Sequence, residues 1–246
     1  MTVMSKAMTK GRYVARMSTD PADLSRARAL RARGFAGAPE ADAFDDICQH
    51  VLVEDRKTGR LVCCYRVLTL ANGREIARSY SAQFYDLSAL RAFDGPMVEM
   101  GRFCLDRETR DPDVVRVAWG AMTRHVDGNG IEMLFGCSSF EGTQPQAYLD
   151  TFAMLRERHL APRRWLPRVK SASVYRFAQS LARRKPDMME AMRRMPPLLR
   201  TYLLMGGWVS DHAVVDRQLN TLHVFTGVEI QAIPEARKRL LRAQAG

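Results

Sequence analysis

The stretch "VEMGRFCLDRETRDPD", residues 98–113, places two opposite charges inside an apolar run. Residues 97–105 favour a β-strand, and the polar residues 106–113 favour a loop that ends it. In a regular strand Glu99 and Arg102 would face opposite sides. A bulge at Gly101 would turn both toward one cleft. This arrangement predicts a base that takes a proton from a nucleophile, beside a cation that holds an anionic group. A buried ion pair or two edge charges remain the structural alternatives.

The neighbouring segments predict helices packed on a sheet. Residues 21–35 have the periodicity of a helix, and "DRKTG" is a hairpin turn between apolar β-rich runs. Predicted strands span 49–54, 60–69, 74–87 and 131–140, and predicted helices span 113–127 and 145–159. This order indicates an α+β fold with a mixed central sheet flanked by helices.

Positive charge is concentrated in one part of the chain. The 246 residues carry a net charge of +11, and residues 156–200 hold 13 Lys and Arg against 3 Asp and Glu. That segment alone has a net charge of +10, which suits an acidic protein or an anionic membrane. We therefore expect a catalytic core over residues 1–155 and a basic, mostly helical C-terminal extension over 156–246 that completes the same domain.

Several function classes are disfavoured by what the sequence lacks. No apolar run approaches the roughly 18 residues of a membrane span, and no signal peptide is recognisable, so we expect a cytoplasmic protein. The histidines and the five cysteines show no metal-ligand spacing. "SDH" at 210–212 is not expected to form a triad, because adjacent residues rarely converge as one. No zinc-finger or aromatic-interleaved basic pattern predicts nucleic-acid binding.

The motifs together resemble a known group of enzymes. "VEMGRFCLDRETR" is similar to the E-x-x-R-F segment of the acyl-homoserine lactone synthases and of the ornithine N-acyltransferases of bacterial aminolipid synthesis. "ALRARGF", with Arg31, Arg33 and Phe35, resembles their early helix. "FDDICQHVLVED" with "GRLVCCYRVL", which contains Arg66, resembles their acidic turn and hairpin. "LFGCSSFEGT" and "PPLLRTYLLMGGW" resemble the ornithine enzymes in particular. The likeness covers most of residues 24–225.

The resemblance implies a GNAT-like acyltransferase fold and a specific reaction. A 3-hydroxyacyl chain would pass from acyl carrier protein to the α-amine of L-ornithine, giving lyso-ornithine lipid. Glu99 would be the base, and Arg102, with Arg31 or Arg66, would hold the acceptor's carboxylate. Other implied substrate contacts are Phe103, Ser138 and Ser139. The same chemistry on glutamine, lysine or glycine, or lactone synthesis, remains open.

The acyl donor is predicted from a sequence difference between this chain and the acetyltransferases, and the partners are predicted from the distribution of positive charge. Acetyltransferases that use coenzyme A carry a glycine-rich pyrophosphate loop after the central strand, whereas "RETRDPDVV" has no glycine. The expected donor is therefore an acyl chain on the phosphopantetheine of acyl carrier protein, with no separate cofactor. Arg163, Arg164 and Arg168 around Trp165 are the predicted docking residues. The remaining basic residues predict peripheral attachment to the inner membrane face.

Overall fold

The structure is a computed structural model that describes residues 7–34 and 42–245. Its strands are β1 Met8–Lys10, β2 Tyr13–Ser18, β3 Gln49–Asp55, β4 Leu61–Leu70, β5 Tyr85–Asp86, β6 Met97–Leu105, β7 Met133–Glu141, β8 Arg168–Val169, β9 Val174–Tyr175, β10 Trp208–Val209, β11 Ala213–Asp216 and β12 Thr221–Glu229. Its helices are α1 Pro21–Gly34, α2 Asp113–Gly128, α3 Leu149–Arg158, α4 Phe177–Ser180, α5 Met188–Arg193, α6 Pro197–Leu204 and α7 Glu235–Ala245. The predicted helix at 113–127 and the strand at 97–105 are confirmed, as is the helix predicted at 21–35 over residues 21–34; residue 35 lies outside the described residues.

The first of two compact units contains residues 1–69, 96–132 and 234–246. Its strands lie in the order β1-β2-β3-β4-β6. Helix α1 covers one face, where Ala27 and Leu30 pack with Leu52, Cys64 and Cys104. This unit holds the predicted Glu99/Arg102 strand and the helix that precedes the acidic turn.

Helices α2 and α7 pack against each other within the first unit. A Cβ atom added at Gly120 of α2 would lie 2.8 Å from the carbonyl oxygen of Gln244 in α7, so this close approach requires glycine. Arg124 Nε donates to the carbonyl oxygen of Ala245 at 2.6 Å. Arg242 forms an ion pair with Asp127 at 3.1 Å. Residues far apart in sequence thus complete one helical layer.

The second unit contains residues 70–95 and 133–233. Strand β12 pairs with β7 over its whole length, from Thr221 opposite Glu141 to Glu229 opposite Met133. The strands β11 and β10 both pair with β12, and β9 pairs with β11. One core cluster joins β12 to helices α3–α6, with Phe152, Phe177, Leu199 and Leu222 fully buried.

The prediction of a strand over residues 74–87 is wrong. The chain there forms 3-10 helices at Gly73–Arg78 and Ser81–Gln83, and only Tyr85–Asp86 is extended. The Asn72 side chain caps the first of these by accepting from the backbone N–H of Arg74 at 3.0 Å. The apolar residues Ile76 and Tyr85 are nevertheless buried.

The C-terminal segment is not mainly helical. Helices α4–α7 alternate there with β8–β12, and the nine-residue β12 is central to its unit. Eight of the nine residues of β12 are buried, so the strand lacks the alternation that marks a half-exposed strand. Residue 155 lies inside α3 and inside the second unit. That residues 1–155 form a catalytic core therefore stays a prediction without a matching boundary in the fold.

Candidate active site

Strand β6 is irregular at the position where the sequence predicts a bulge. The left-handed residue is Arg102, with φ of 54°, rather than Gly101. A Cβ atom at Gly101 would lie 3.5 Å from Nε of Arg66, and the Arg102 side chain reaches Asp42, which Arg66 also binds. Two consecutive residues therefore face the same side, as in a β-bulge. Glu99, two positions before Gly101, points to that side by strand alternation.

A cluster of guanidinium groups and carboxylates lies on this side of the first unit. Asp45 is its centre: Arg31 contacts both carboxylate oxygens at 2.8 Å, and Arg28 and Arg66 contact it at 3.0 and 2.9 Å. Asp42 lies beside it. Arg66 Nη1 is 2.5 Å from Asp42 Oδ1, and Arg102 Nη2 is 2.9 Å from Asp42 Oδ2. The three arginines named from the sequence are thus brought together. We call these six residues, Arg28, Arg31, Asp42, Asp45, Arg66 and Arg102, the arginine–aspartate cluster.

Local sequence explains how the cluster forms. Arg28 and Arg31 are three apart on α1, so they share a helix face. The turn that follows supplies both aspartates and is closed by His50, whose Nε2 lies 2.9 Å from the carbonyl oxygen of Asp45. Arg66 comes from β4 and Arg102 from β6. Phe35, which belongs to the same motif, lies outside the described residues.

The cluster holds both aspartates ionised. Burial works to raise the pKa of Asp42, but hydrogen bonds from Arg66 and Arg102 lower it overall. Burial opposes ionisation of Asp45 in the same way, and contacts from Arg31, Arg28 and Arg66 hold its pKa well below the usual range. Four guanidinium groups meet these two carboxylates in the described part of the chain. The cluster therefore retains net positive charge.

Glu99 is buried next to this positive charge, at 4% exposure. Cys48 lies in the same electrostatic environment. Burial raises the pKa of its thiol to about 12, the positive charge of Arg66 opposes that rise, and the negative charge of Glu99 adds to it. A buried carboxylate near guanidinium groups has the composition of a general-base site. Phe103, the next predicted contact, turns the other way and stacks on Tyr65, with ring centroids 5.7 Å apart.

The loop after β6 uses its own carboxylates to bind its backbone N–H groups. Asp106 accepts from the N–H of Glu108 at 3.0 Å, and Asp111 accepts from the N–H of Asp113 at 2.9 Å. Arg60 neutralises Asp106 at 2.8 Å. These two backbone N–H donors are therefore already occupied by acidic groups of the loop.

The two predicted serines lie in the second unit and face opposite sides of β7. Ser138 is buried and accepts from Thr226 Oγ1 at 2.9 Å. Ser139 is exposed and lies opposite His223 of β12. Only Ser139 is therefore accessible to a ligand.

The predicted docking residues are all exposed on the second unit. Arg164 lies 5.1 Å from the Trp165 ring centroid and 3.3 Å from Glu229. Arg168 pairs opposite Asp86 in the small β5–β8 sheet. Arg163 has no carboxylate partner among the described residues. The patch thus keeps cationic groups available for an acidic partner.

The sequence analysis gave no role to Asp42, Asp45 or Arg28. The signal available was the acidic turn "DAFDDIC", residues 42–48, directly before a buried strand, with arginines three apart on the preceding helix. The residues of the "SDH" motif, 210–212, do not form a catalytic triad. Ser210 Oγ donates to the carbonyl oxygen of His212 at 2.7 Å instead of contacting the imidazole.

The described residues contain no cluster able to bind a metal ion, and none of their helices is long and apolar enough to cross a membrane.

Comparison with known proteins identifies the class of protein to which this fold belongs. Residues 26–120 match the family described as an acetyltransferase (GNAT) domain. The chain is similar in structure to FeeM, an N-acyl amino acid synthase from uncultured soil microbes, with a TM-score of 0.51 and 12% identity over 90% of this chain and 94% of that one. The chain therefore has a GNAT-like fold, a mixed sheet flanked by helices.

Two relatives define the family more closely. The chain is 34% identical to an L-ornithine N(alpha)-acyltransferase of Rhodobacter capsulatus over 80% of its own length and 76% of the relative's. It is 29% identical to the Brucella abortus protein of the same name, over 79% and 71% of the two lengths. The chain belongs to the L-ornithine N(alpha)-acyltransferase family.

Proposed function

We propose that the enzyme transfers a 3-hydroxyacyl chain from acyl carrier protein to the α-amine of L-ornithine, forming lyso-ornithine lipid. Family membership supports the acceptor. The observation that carries the mechanism is the bulge in β6, which turns Glu99 and Arg102 to the side of the arginine–aspartate cluster. This arrangement supports a single site that contains a base and several carboxylate-binding groups.

The first step is deprotonation of the acceptor. A free α-amine has a pKa of about 8, so it is mostly protonated near neutral pH. Glu99, directly or through a water, takes that proton while the substrate carboxylate binds Arg102 with Arg66 or Arg31. The excess positive charge of the cluster supports this binding, because the substrate carboxylate adds the balancing negative charge.

The second step is attack on the thioester. The amine nitrogen forms a bond to the carbonyl carbon, and the carbon–sulfur bond breaks as the tetrahedral intermediate collapses. Backbone N–H groups released from regular pairing at the bulge are the proposed donors to the oxyanion. The attacking nitrogen loses one more proton as the amide forms, and the leaving thiolate of the phosphopantetheine takes up that proton. General-base assistance of this kind contributes a rate factor of roughly 10²–10⁴.

Acyl carrier protein is the proposed donor because the loop after β6 is poorly suited to a pyrophosphate. Asp106 and Asp111 already bind backbone N–H groups there. A carrier protein delivers its arm from its own acidic surface, and Arg163, Arg164 and Arg168 form a cationic surface that complements it.

The enzyme is proposed to work in the cytoplasm, bound peripherally to the inner membrane face. Arg183, Lys185 and Arg200 are exposed and form no ion pair among the described residues, and Met189 of α5 is 80% exposed. Each such cation contributes ~1 kcal/mol near an anionic bilayer. The exposed apolar side chain of Met189 suits insertion at the interface.

The test is an assay of purified protein with 3-hydroxyacyl carrier protein and a panel of acceptors. Ornithine, lysine, glutamine, glycine and S-adenosylmethionine are compared, and the matching acyl-coenzyme A is tested as donor. We expect kcat/KM to be highest for ornithine and for the carrier-bound donor. A higher value for another amino acid would reassign the acceptor, and lactone release from S-adenosylmethionine would identify a lactone synthase. Equal kcat/KM with acyl-coenzyme A would refute the donor.

A further inference from the structure

Asp42 is the carboxylate of the arginine–aspartate cluster that keeps an unused hydrogen-bond acceptor position. Its Oδ1 atom accepts from Arg66 Nη1 at 2.5 Å and from the backbone N–H of Phe44 at 3.0 Å. Its Oδ2 atom accepts, among the described residues, from Arg102 Nη2 alone, at 2.9 Å. Because each carboxylate oxygen can accept two hydrogen bonds, Oδ2 retains one acceptor position.

Asp45, the other carboxylate of the cluster, has no acceptor position left. Arg31 donates to both of its oxygens, Arg66 donates to Oδ1, and Arg28 donates to Oδ2, so all four positions are used. The Asp45 side chain is 1% exposed, whereas the Asp42 side chain is 20% exposed. A ligand that approaches the cluster from solvent can therefore contact the carboxylate of Asp42 but not that of Asp45.

The acceptor amino acid brings a second cation to this site. L-Ornithine carries an α-carboxylate, the α-amine that is acylated, and a δ-amine that is an ammonium near neutral pH. Four guanidinium groups meet only two carboxylates in the described part of the cluster, so its net positive charge repels that ammonium. The δ-ammonium therefore requires a carboxylate that can contact it directly.

Arg102 connects Asp42 to the other end of the substrate. Its Nη2 atom donates to Asp42 Oδ2, and in the proposed mechanism the same guanidinium holds the α-carboxylate of the acceptor. With bonds of about 1.5 Å, the extended side chain of ornithine spans roughly 5 Å from Cα to the δ-nitrogen. This length is comparable with the separation of two groups that hydrogen-bond to one guanidinium. A carboxylate bound by Arg102 therefore places the δ-ammonium within reach of Asp42.

We propose that Asp42 determines acceptor specificity: its Oδ2 atom accepts a hydrogen bond from the δ-ammonium of ornithine while Arg102 holds the α-carboxylate. This inference rests on the proposed function and assigns the group that recognises the side chain of the amino acid. The ion pair favours the charged form of the δ-amine, which has no lone pair and cannot attack the thioester. The same contact therefore directs acylation to the α-nitrogen, whose proton Glu99 removes.

The test compares ornithine with 2-aminopentanoate, which has the same carbon chain without the δ-amine. We expect kcat/KM to favour ornithine by roughly 10–100-fold, the effect of one hydrogen bond to a charged group. Asp42→Asn, which keeps the shape and removes the charge, should bring the two values within about threefold of each other. KM should rise for ornithine and fall for 2-aminopentanoate, because the cluster of the variant is more positive and binds a carboxylate more strongly. Asp46→Asn, the matched control at an exposed aspartate, should leave the preference unchanged.

A binding experiment separates this inference from the reaction itself. Isothermal titration calorimetry with each amino acid requires no acyl donor, so a preference for ornithine that Asp42→Asn abolishes supports the inference even if no acyl transfer from a carrier protein is found. Asp42→Glu keeps the charge and should retain part of the preference, which provides the test if Asp42→Asn does not fold. A preference that Asp42→Asn retains, or an equal loss for both amino acids, would mean that Asp42 only holds the two arginines. Equal binding of both amino acids by the wild-type protein would refute the inference and leave acylation of the α-amine intact.

Discussion

Arg102 and Arg66 share the carboxylate of Asp42, and the backbone of Arg102 is left-handed at the point where it makes this contact. The left-handed conformation costs a residue with a Cβ atom about 1–2 kcal/mol. The chain therefore accepts backbone strain at the position that brings this guanidinium into the cluster, as is typical of functional sites.

Substituting Arg102 separates backbone strain from side-chain function. Arg102→Gly and Arg102→Ala both remove the guanidinium, so both should raise KM for ornithine. Only Gly relieves the strain, so we expect it to be more stable than Ala by about 1 kcal/mol in urea unfolding. Equal stability of the two variants would show that this position is not held left-handed in solution.

Glu99→Gln tests the base. The amide has nearly the same shape as the carboxylate but cannot take a proton, so the fold should persist while kcat at neutral pH falls by roughly 10²–10⁴. Thermal unfolding of the variant serves as the control for folding. Activity within a few-fold of the wild-type value would assign proton removal to another group or to solvent.

Asp45→Asn tests the centre of the arginine–aspartate cluster. Removing this charge takes away the carboxylate that Arg31 contacts and leaves Arg66 with Asp42 alone, and breaking a buried pair typically costs about 3–5 kcal/mol. Asp46 is the matched control, because its side chain is exposed and lies 3.9 Å from Arg28. Asp46→Asn should change the free energy of unfolding by less than about 0.5 kcal/mol.

The same aspartates predict an acid dependence of stability. The folded-state pKa values of Asp42 and Asp45 are lowered, so their contribution is complete above the unfolded pKa of about 4. It is lost as the pH falls from there through the lower folded-state values. Urea unfolding between pH 5 and pH 2 should therefore show a smaller loss for Asp45→Asn than for the wild type. Parallel curves would contradict this assignment.

The basic residues of 156–200 should divide into two surfaces. Reversing Arg163, Arg164 and Arg168 to Glu should raise KM for the carrier with little change in binding to anionic vesicles. Reversing the charge of a second set should release the protein from anionic vesicles and leave KM for the carrier nearly unchanged. This set is Arg183, Arg184, Arg193 and Arg194. Equal effects of both sets on both measurements would mean one undivided surface.

The structure suggests a smaller set of substitutions that tests membrane binding without breaking local ion pairs. Arg184 contacts Asp150 at 2.9 Å, and Arg193 and Arg194 both contact Glu190, so their reversal also breaks local ion pairs. Arg183 and Lys185 form no ion pair among the described residues. Their double reversal should weaken vesicle binding at unchanged thermal stability.

The sequence predicted those elements whose periodicity reports a single buried face or a strong turn. Helix α2 was recognisable from its apolar face, the β3–β4 hairpin from its turn, and β6 from an apolar run that ends in a polar loop. Strand β12 was missed because both of its faces are buried, which removes the alternation. The 3-10 segment after Asn72 was mistaken for a strand because its packing depends on contacts that local sequence does not encode.

The site was predictable to a similar degree. A bulge near Gly101 and the participation of Arg31 and Arg66 followed from spacing and resemblance. That Asp42 and Asp45 hold those arginines could not be derived, because the partners come from three separate elements brought together by the sheet. The left-handed conformation at Arg102, next to a glycine better suited to it, is likewise a tertiary effect.

Helix α7 has a consequence for the order in which the protein can fold during synthesis. Its partner α2 is made more than a hundred residues earlier, since Gln244 approaches Gly120, and all of the second unit's longer segment is translated in between. At about 5–20 residues per second, the ribosome leaves the α2 surface without α7 for several seconds or more. The second unit can complete its core sooner. We therefore expect chaperones to bind nascent chains through the α2 surface until translation reaches α7.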